Sequence, residues 1–154
     1  FGIEGPSWLQ SSKWAMPAIV LASVWKDMGY FGLMLMSGLQ GINQEYYDAA
    51  AIDGAGKIKQ FTRITLPLLT PTLFFVLIIS LINSFQLFTQ IMIMTPDGGP
   101  LGSTMVMVER IYKYGFRYYE MGTAAAYSWI LFAILLLLTM VQMKLQNKWV
   151  NYDD

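Results

Sequence analysis

The amide side chains of one apolar stretch are the groups of this sequence best suited to bind a polar solute. Asn83, Gln86 and Gln90 recur at i, i+3 and i+7, a spacing that predicts one shared helix face, and Ser84 adds a hydroxyl to the same region. Amides supply both donors and acceptors, which is what hydrogen-bond exchange with the hydroxyls of a solute requires. Hydrogen bonding between helices is the alternative, because amides commonly join helices within a membrane.

A second polar stripe lies on an earlier apolar stretch, where Ser23, Lys26 and Tyr30 have the same spacing. A charge at the centre of a membrane helix costs about 2.5 to 3.5 kcal/mol, so Lys26 and the adjacent Asp27 are expected to face protein or water. Neighbouring positions point in different directions on a helix, and we predict that these two residues do not simply pair with each other. The stripe indicates a translocation path or, equally, a structural contact with another helix.

Three long apolar segments must position these side chains, at residues 15–39, 68–94 and 122–143. Each is long enough to cross about 30 Å of hydrocarbon as a helix. Hydrophobic residues make up 55% and charged residues 13% of the chain, against about 25% charged residues in soluble proteins. We therefore predict an all-α fold, that of a polytopic α-helical membrane protein with three transmembrane helices.

Composition also excludes several kinds of function. The chain has no cysteine and no histidine, which removes disulfides, thiol chemistry and the commonest zinc ligands. Ten basic and ten acidic residues give a net charge of zero, which argues against a nucleic-acid partner. The sequence offers no pairing of a nucleophile with a base, so we expect no catalytic residue, no metal site and no cofactor.

Residues 43–67, here called the elbow, form the one ordered polar pattern between the apolar segments. Asn43 suits the N-cap of a short helix over Gln44–Ile52, since its side chain can accept a free backbone N–H. Gly54 and Gly56 then predict a sharp bend, because glycine bends at little steric cost. A second short helix is expected to follow, and the proline that ends the elbow suits the first turn of the next helix.

The elbow resembles the EAA loop of permease subunits in ABC importers, which runs E-A-A, three residues, G, nine residues and I-x-L-P. The spacing matches without a gap, and the one departure is Asp48, which keeps the charge of glutamate on a side chain shorter by a methylene. In that family the elbow is the coupling helix that docks on a separate ATPase subunit. The residues that the resemblance assigns to this coupling are Asp48, Ala49, Ala50, Gly54, Ile64, Leu66 and Pro67.

The elbow also contains the run DGAGK, which does not have the spacing of a phosphate-binding loop. Ile58 follows Lys57 where that loop requires a hydroxyl. ATP hydrolysis is therefore expected in a partner subunit and not in this chain. Further on, residues 95–100, TPDGGP, are similar to the T-x-GGP signature of carbohydrate-importer permeases, with one additional residue.

The resemblance implies that residues 1–154 are the C-terminal part of a permease related to the maltose, lactose and glycerol-phosphate importers. Its partners are then ABC ATPase subunits, a second homologous permease, an extracytoplasmic solute-binding protein and membrane lipid. The location implied is the plasma membrane of a bacterium or archaeon, with the elbow in the cytoplasm. The helix between 103 and 119 is expected to be amphipathic and either to receive the solute-binding protein or to be a plain surface helix.

In such permeases the helix over residues 68–94 contributes to the substrate site, which directs attention to the polar side chains described above. The residues assigned to the substrate path are Asn83, Ser84, Gln86, Gln90, Ser23, Lys26 and Tyr30. The alternative to an ATP-driven importer is an ion-coupled secondary carrier or channel, in which Lys26 and Asp27 would be the coupling charges.

Overall fold

The computed structural model describes Gly5 and residues 7–150, and for residues 147–149 it describes the backbone alone. Within these residues the structure is helical and contains no strand, so the predicted all-α fold is confirmed. The helices are α1 (Ala15–Gln40), α2 (Gln44–Ile52), α3 (Lys57–Gln60), α4 (Leu66–Leu68), α5 (Thr70–Phe85), α6 (Thr89–Met94), α7 (Met107–Tyr112) and α8 (Met121–Trp149).

Among the described residues, three helical segments are long and apolar enough to cross a membrane: Ala15–Gln40, Thr70–Met94 and Met121–Gln146. They agree with the three predicted spans, although α8 continues beyond the predicted end at residue 143. Large apolar side chains on all three face outward, and Trp25, Ile93 and Trp129 are each more than 70% exposed. Such exposure suits helices whose surroundings are lipid or other helices.

The second span is not one continuous helix, which corrects the prediction for residues 68–94. Helix α5 ends at Phe85, and the backbone N–H of Gln86 is shared between the carbonyls of Ile82 and Asn83 at 3.1 and 3.2 Å. Helix α6 begins only at Thr89. Neither proline nor glycine lies between Phe85 and Thr89, so none of the usual helix-breaking residues marks the interruption.

The segment between α6 and α8 is more irregular than predicted. Two 3₁₀ turns, Pro96–Gly98 and Pro100–Gly102, precede α7, and a π-helical turn, Lys113–Arg117, follows it. The expected helix over residues 103–119 therefore begins only at Met107. Residues of the TPDGGP run adopt positive φ, among them Gly98 at +86° and Gly99 at +67°, a region that glycine enters without steric cost.

The elbow has two helical arms joined by a bend, as predicted. Asn43 caps α2 by accepting a hydrogen bond from the backbone N–H of Glu45 at 3.1 Å, which confirms its predicted role. Gly54 makes the bend with φ at +75°. Gly56 is the N-cap of α3, and its φ of −67° is one that any residue adopts, so this position does not require glycine. The second arm runs through α3, a π-helical turn over Phe61–Thr65, and α4.

Two compact units divide the chain. The first comprises Phe1–Asp27 and Ile82–Leu137, and the second comprises Met28–Leu81 and Leu138–Asp154. The second unit contains the elbow, and the first contains the helix break and the segment between α6 and α8.

Candidate functional site

The first arm of the elbow presents the beginning of the predicted coupling motif to its surroundings. Asp48 and Ala49 are exposed on α2, and Ala50 is half-buried. Gln44 lies one turn before Asp48 on the same helix, and its side-chain amide donates a hydrogen bond to the Asp48 carboxylate at 3.2 Å. This bond holds Asp48 along the surface of α2, where it remains available to a partner.

The bend of the elbow is closed by backbone hydrogen bonds at the end of α2. The N–H of Gly54 donates to the carbonyl of Ala51 at 3.0 Å, and the N–H of Ala55 donates to the carbonyl of Ala50 at 2.9 Å. A left-handed glycine after a helix, with bonds of this type, is the commonest way to satisfy the last carbonyls. A methyl group added to Gly54 would meet nothing within 4 Å, so the backbone conformation, and not space, requires glycine here.

The second arm carries the end of the motif. Ile64 and Pro67 are half-buried and Leu66 is 43% exposed. Between them lies Thr65, which is buried and shares a hydrogen bond with the hydroxyl of Tyr47 on the first arm, 2.9 Å between the oxygens. The structure thus brings the two halves of the motif into one folded elbow.

The elbow exposes apolar side chains that neither arm covers. Ile52 is 88% exposed, Ile58 is 84% exposed and Phe61 is 55% exposed. Lys57 and Lys59 flank Ile58 on α3. Exposed apolar side chains beside charged ones are typical of interaction surfaces.

The predicted row of amides is only partly formed. Asn83 lies on α5, Gln86 in the break and Gln90 on α6, so the three do not share one continuous helix face as predicted. Asn83, Ser84 and Gln86 are nevertheless exposed, and Gln90 is half-buried. The break therefore leaves a cluster of polar side chains around the point where the helix is interrupted.

A groove of about 330 Å³ lies beside the break. Ser84 is the polar residue among its lining side chains, and the three amides are not part of it. The residues that line the groove are Ser84, Phe85, Val106, Met107, Leu131 and Ile134.

The polar stripe of α1 also differs from the prediction. Lys26 and Asp27 do pair, with 3.3 Å between Nζ and Oδ1, because the four-carbon stem of a lysine is long enough to fold back on its neighbour. Ser23 donates to the carbonyl of Ile19 in its own helix at 2.8 Å. Tyr30 is 55% exposed. Ser23 and Lys26 belong to the first unit, whereas Tyr30 belongs to the second.

A buried polar cluster between α6 and α8 was not predicted. The hydroxyls of Thr95 and Thr104 lie 2.8 Å apart and are buried. Glu109 is 1% exposed, and its Oε1 lies 3.0 Å from Nζ of Lys113. The i, i+4 spacing of these two residues favours such an ion pair, but nothing in the spacing indicates that it is buried.

The same cluster leaves no room for a side chain at the second glycine of the TPDGGP run and contacts the first. A methyl group on Gly99 would lie 2.7 Å from the hydroxyl oxygen of Thr104, and one on Gly98 would lie 3.4 Å from Oε2 of Glu109. Asp97 extends the cluster to the surface through ion pairs with Lys113 and Arg117. In the part of the chain that the structure describes, no group of three or more acidic, histidine or cysteine side chains could hold a metal ion.

Residues 1–152 match the family model described as "Binding-protein-dependent transport system inner membrane component". The chain belongs to this family. Its three apolar helical segments are therefore membrane segments, and the family favours a permease of an ABC importer over an ion-coupled carrier or channel.

Individual relatives agree with the family. The chain is 36% identical over 148 residues to the probable ABC transporter permease protein YesP of Bacillus subtilis, covering 96% of this chain and 48% of the relative. It is 37% identical to the sn-glycerol-3-phosphate transport system permease protein UgpA of Pectobacterium atrosepticum, over 99% of this chain and 52% of the relative. It is 38% identical to the sulfoquinovosyl glycerol transport system permease protein SmoG of Agrobacterium fabrum, over 94% of this chain and 46% of the relative.

The fold is shared with a solved importer. The crystal structure of a bacterial ABC transporter involved in the import of the acidic polysaccharide alginate matches with a TM-score of 0.82 and 22% identity, over 96% of this chain and 51% of that one. The chain of this inner-membrane component thus spans about half the length of the curated relatives it matches.

Proposed function

We propose that this chain is part of the permease subunit of an ATP-driven importer, and that it forms part of the path of a sugar or related solute. The observation that carries the proposal is the elbow. It presents Asp48, Ala49 and the apolar side chains of Ile52 and Ile58 on a folded, two-armed projection between two membrane helices.

The elbow is the proposed docking site for a separate ATPase subunit, which would do the ATP hydrolysis that this chain does not. Exposed Ile52, Ile58 and Phe61 supply apolar area that becomes buried on docking. Asp48 and the lysines of α3 supply charges at its edge, where they set orientation more than affinity. Movement of the ATPase would then act on α1 and α5, the helices that the elbow joins.

The helix break is the proposed position of the solute path. Broken helices within membranes occur where the irregular backbone is buried in protein or faces a water-filled cavity. Asn83, Ser84 and Gln86 are exposed around the break and have the donors and acceptors that a polyhydroxylated solute needs. The named transport systems of two relatives, for sn-glycerol-3-phosphate and for sulfoquinovosyl glycerol, both carry polyol-containing solutes.

Three further partners belong to the proposal. A second, homologous permease would complete the path, and lipid would cover the remaining apolar side chains in the plasma membrane of a bacterium or archaeon. An extracytoplasmic solute-binding protein would meet the segment between α6 and α8, where Leu101 is 97% exposed. A second alginate transporter structure was solved in complex with its substrate-bound periplasmic protein, which supports a partner of this type.

Cysteine cross-linking tests the proposal directly, because the chain has no cysteine of its own. Ala49→Cys on the exposed face of α2 is expected to cross-link to an ATPase subunit in the assembled importer. Leu101→Cys is the matched control on the other side, and it should react with a membrane-impermeant reagent added from outside the cell. The proposal would be contradicted if Ala49→Cys formed no cross-link to an ATP-hydrolysing protein, or if Ala49→Cys were labelled from outside the cell.

A further inference from the structure

A side-chain hydrogen bond joins the two arms of the elbow. The hydroxyl oxygens of Tyr47 and Thr65 are 2.9 Å apart, although the residues are separated by 18 positions. Thr65 is 8% exposed, and Tyr47 is half-buried. Since a partly buried bond of this kind is shielded from competing water, it is stronger than its exposed equivalent.

The bond lies at the end of the elbow opposite to the bend. At the bend the arms are held by the backbone bonds of Gly54 and Ala55, and the side-chain amide of Gln60 donates to the carbonyl of Ala55 at 3.1 Å. Tyr47 lies in the first half of α2, and Thr65 lies immediately before α4, at the far end of the second arm. The elbow is thus closed at both ends.

Thr65 occupies a special position on the second arm. It is the last residue of the π-helical turn Phe61–Thr65, and its carbonyl accepts a hydrogen bond from the N–H of Leu69 at 2.9 Å. A π-helical turn contains one more residue than an α-helical turn and so rotates the residues that follow it; such turns are frequent at functional sites. Here the residue at the end of the turn is the one that meets Tyr47.

The residues that follow the second arm are in close contact with α1. A methyl group added to Gly38 would lie 2.9 Å from Leu69 and 2.5 Å from Thr72. Helix α1 and the start of α5 therefore have no room to approach further. A displacement of the second arm is therefore transmitted to α1 through this packing. A displacement of α2 reaches the same contact through the bend and through the Tyr47–Thr65 bond.

We propose that Tyr47 and Thr65 are positioning residues for energy coupling, and that their hydrogen bond makes the two arms move as one body. The inference rests on the proposed function, in which an ATPase subunit docks on the elbow. With the bond in place, a movement imposed on α2 is delivered to α5 and α1. Without it, part of that movement is absorbed at the bend, where Gly54 offers little resistance.

The test is the number of ATP molecules hydrolysed for each solute taken up by the assembled importer in vesicles. Tyr47→Phe removes one hydroxyl and keeps the ring, and Thr65→Val removes the other at nearly constant shape. Each substitution is expected to raise the number of ATP molecules hydrolysed per solute about threefold to tenfold. The loss of one hydrogen bond shifts the balance between coupled and uncoupled ATP hydrolysis by about that factor. Thr65→Ser restores the hydroxyl and should remain near the wild-type ratio.

Combining the substitutions separates this bond from other effects of each residue. Because both variants break the same interaction, the double variant should be no worse than the more severe single one. Thr62→Val is the matched control. It removes a hydroxyl of the same arm whose partners, within the described part of the chain, are the carbonyls of Ile58 and Lys59 in its own turn. Wild-type ratios in Tyr47→Phe and Thr65→Val would overturn the proposal.

A distance measurement keeps the proposal testable if a variant fails to assemble with its partners. Spin labels on Glu45→Cys and Lys59→Cys, both at exposed positions, report the separation of the arms in the purified chain. Tyr47→Phe is expected to broaden that distance distribution, and Thr62→Val is expected to leave it unchanged. An unchanged distribution in Tyr47→Phe would show that the bond does not hold the arms together.

The two readouts also separate this inference from the proposed function. If wild-type uptake proved independent of ATP, the coupling role would fall together with the proposed function. If uptake requires ATP and Ala49→Cys reaches an ATPase, but Tyr47→Phe keeps a wild-type ratio, only the role of the Tyr47–Thr65 bond is refuted.

Discussion

A methyl group added to Gly38 would lie 2.5 Å from the hydroxyl oxygen of Thr72, so α1 and α5 approach each other here as closely as glycine permits. The Cβ atom of Thr72 and the Cδ1 atom of Leu69 would lie 2.9 Å from the same methyl group. The Cβ of Thr72 moves only with its backbone. Any side chain at position 38 must therefore displace one helix from the other.

Gly38→Ala is accordingly expected to destabilise the protein by about 1–3 kcal/mol, the usual cost of overpacking a close contact. This loss of stability is expected even though alanine stabilises a helix by about 1 kcal/mol relative to glycine. Gly32→Ala is the control on the same helix, because a methyl group there meets nothing within 4 Å. Denaturant unfolding of the two purified variants in detergent measures the difference, and equal stabilities would contradict the close approach at Gly38.

The buried ion pair of Glu109 and Lys113 predicts an asymmetry between two basic residues. Lys113→Ala leaves the 1% exposed Glu109 without its partner and is expected to cost about 3–5 kcal/mol. Arg117→Ala breaks an ion pair between two side chains that are each more than half exposed, and is expected to cost no more than about 1 kcal/mol. Unfolding measurements on both variants test this, and a Lys113→Ala protein as stable as Arg117→Ala would refute the burial of Glu109.

The membrane helices and the elbow could be predicted from the sequence because local signals determine them. Long apolar runs predict the membrane spans. Asn43 predicts the cap of α2, and Gly54 predicts the bend. Each of these features depends on a few neighbouring residues, which is the condition under which pattern reasoning succeeds.

The features that were missed depend on contacts between distant residues. The break after Phe85 contains neither glycine nor proline, and the ring of Phe88 packs 5.1 Å from that of Tyr112, 24 positions later in the chain. Glu109 and Lys113 have the same i, i+4 spacing whether buried or exposed, so the pattern could not reveal their burial. The π-helical turn that positions Thr65 likewise has no signal in the sequence.

Gly54 is expected to be indispensable for uptake because of its φ of +75°. Gly54→Pro cannot adopt this angle and also loses the N–H that donates to Ala51, so uptake should be abolished while membrane insertion is retained. Gly54→Ala should cost about 1–2 kcal/mol through the left-handed backbone alone. Gly56→Ala is the control, since φ at Gly56 is −67°. Uptake and membrane fractionation are compared, and normal ATP-driven uptake with Gly54→Pro would count against the elbow's role.

The amides at the helix break provide the test of the solute path. Asn83→Leu and Gln86→Leu remove donors and acceptors from exposed positions on either side of the end of α5. If these amides bind solute hydroxyls, each substitution should raise the solute concentration that half-saturates uptake by about twofold to tenfold, since a net hydrogen bond contributes about 0.5–1.5 kcal/mol. Transport assays over a range of solute concentrations measure this value.

Gln40→Leu changes an exposed amide at the end of α1, and it should leave the half-saturating concentration unaltered whatever its effect on rate. If Asn83→Leu and Gln86→Leu behave in the same way as Gln40→Leu, the amides join helices, and the solute passes elsewhere.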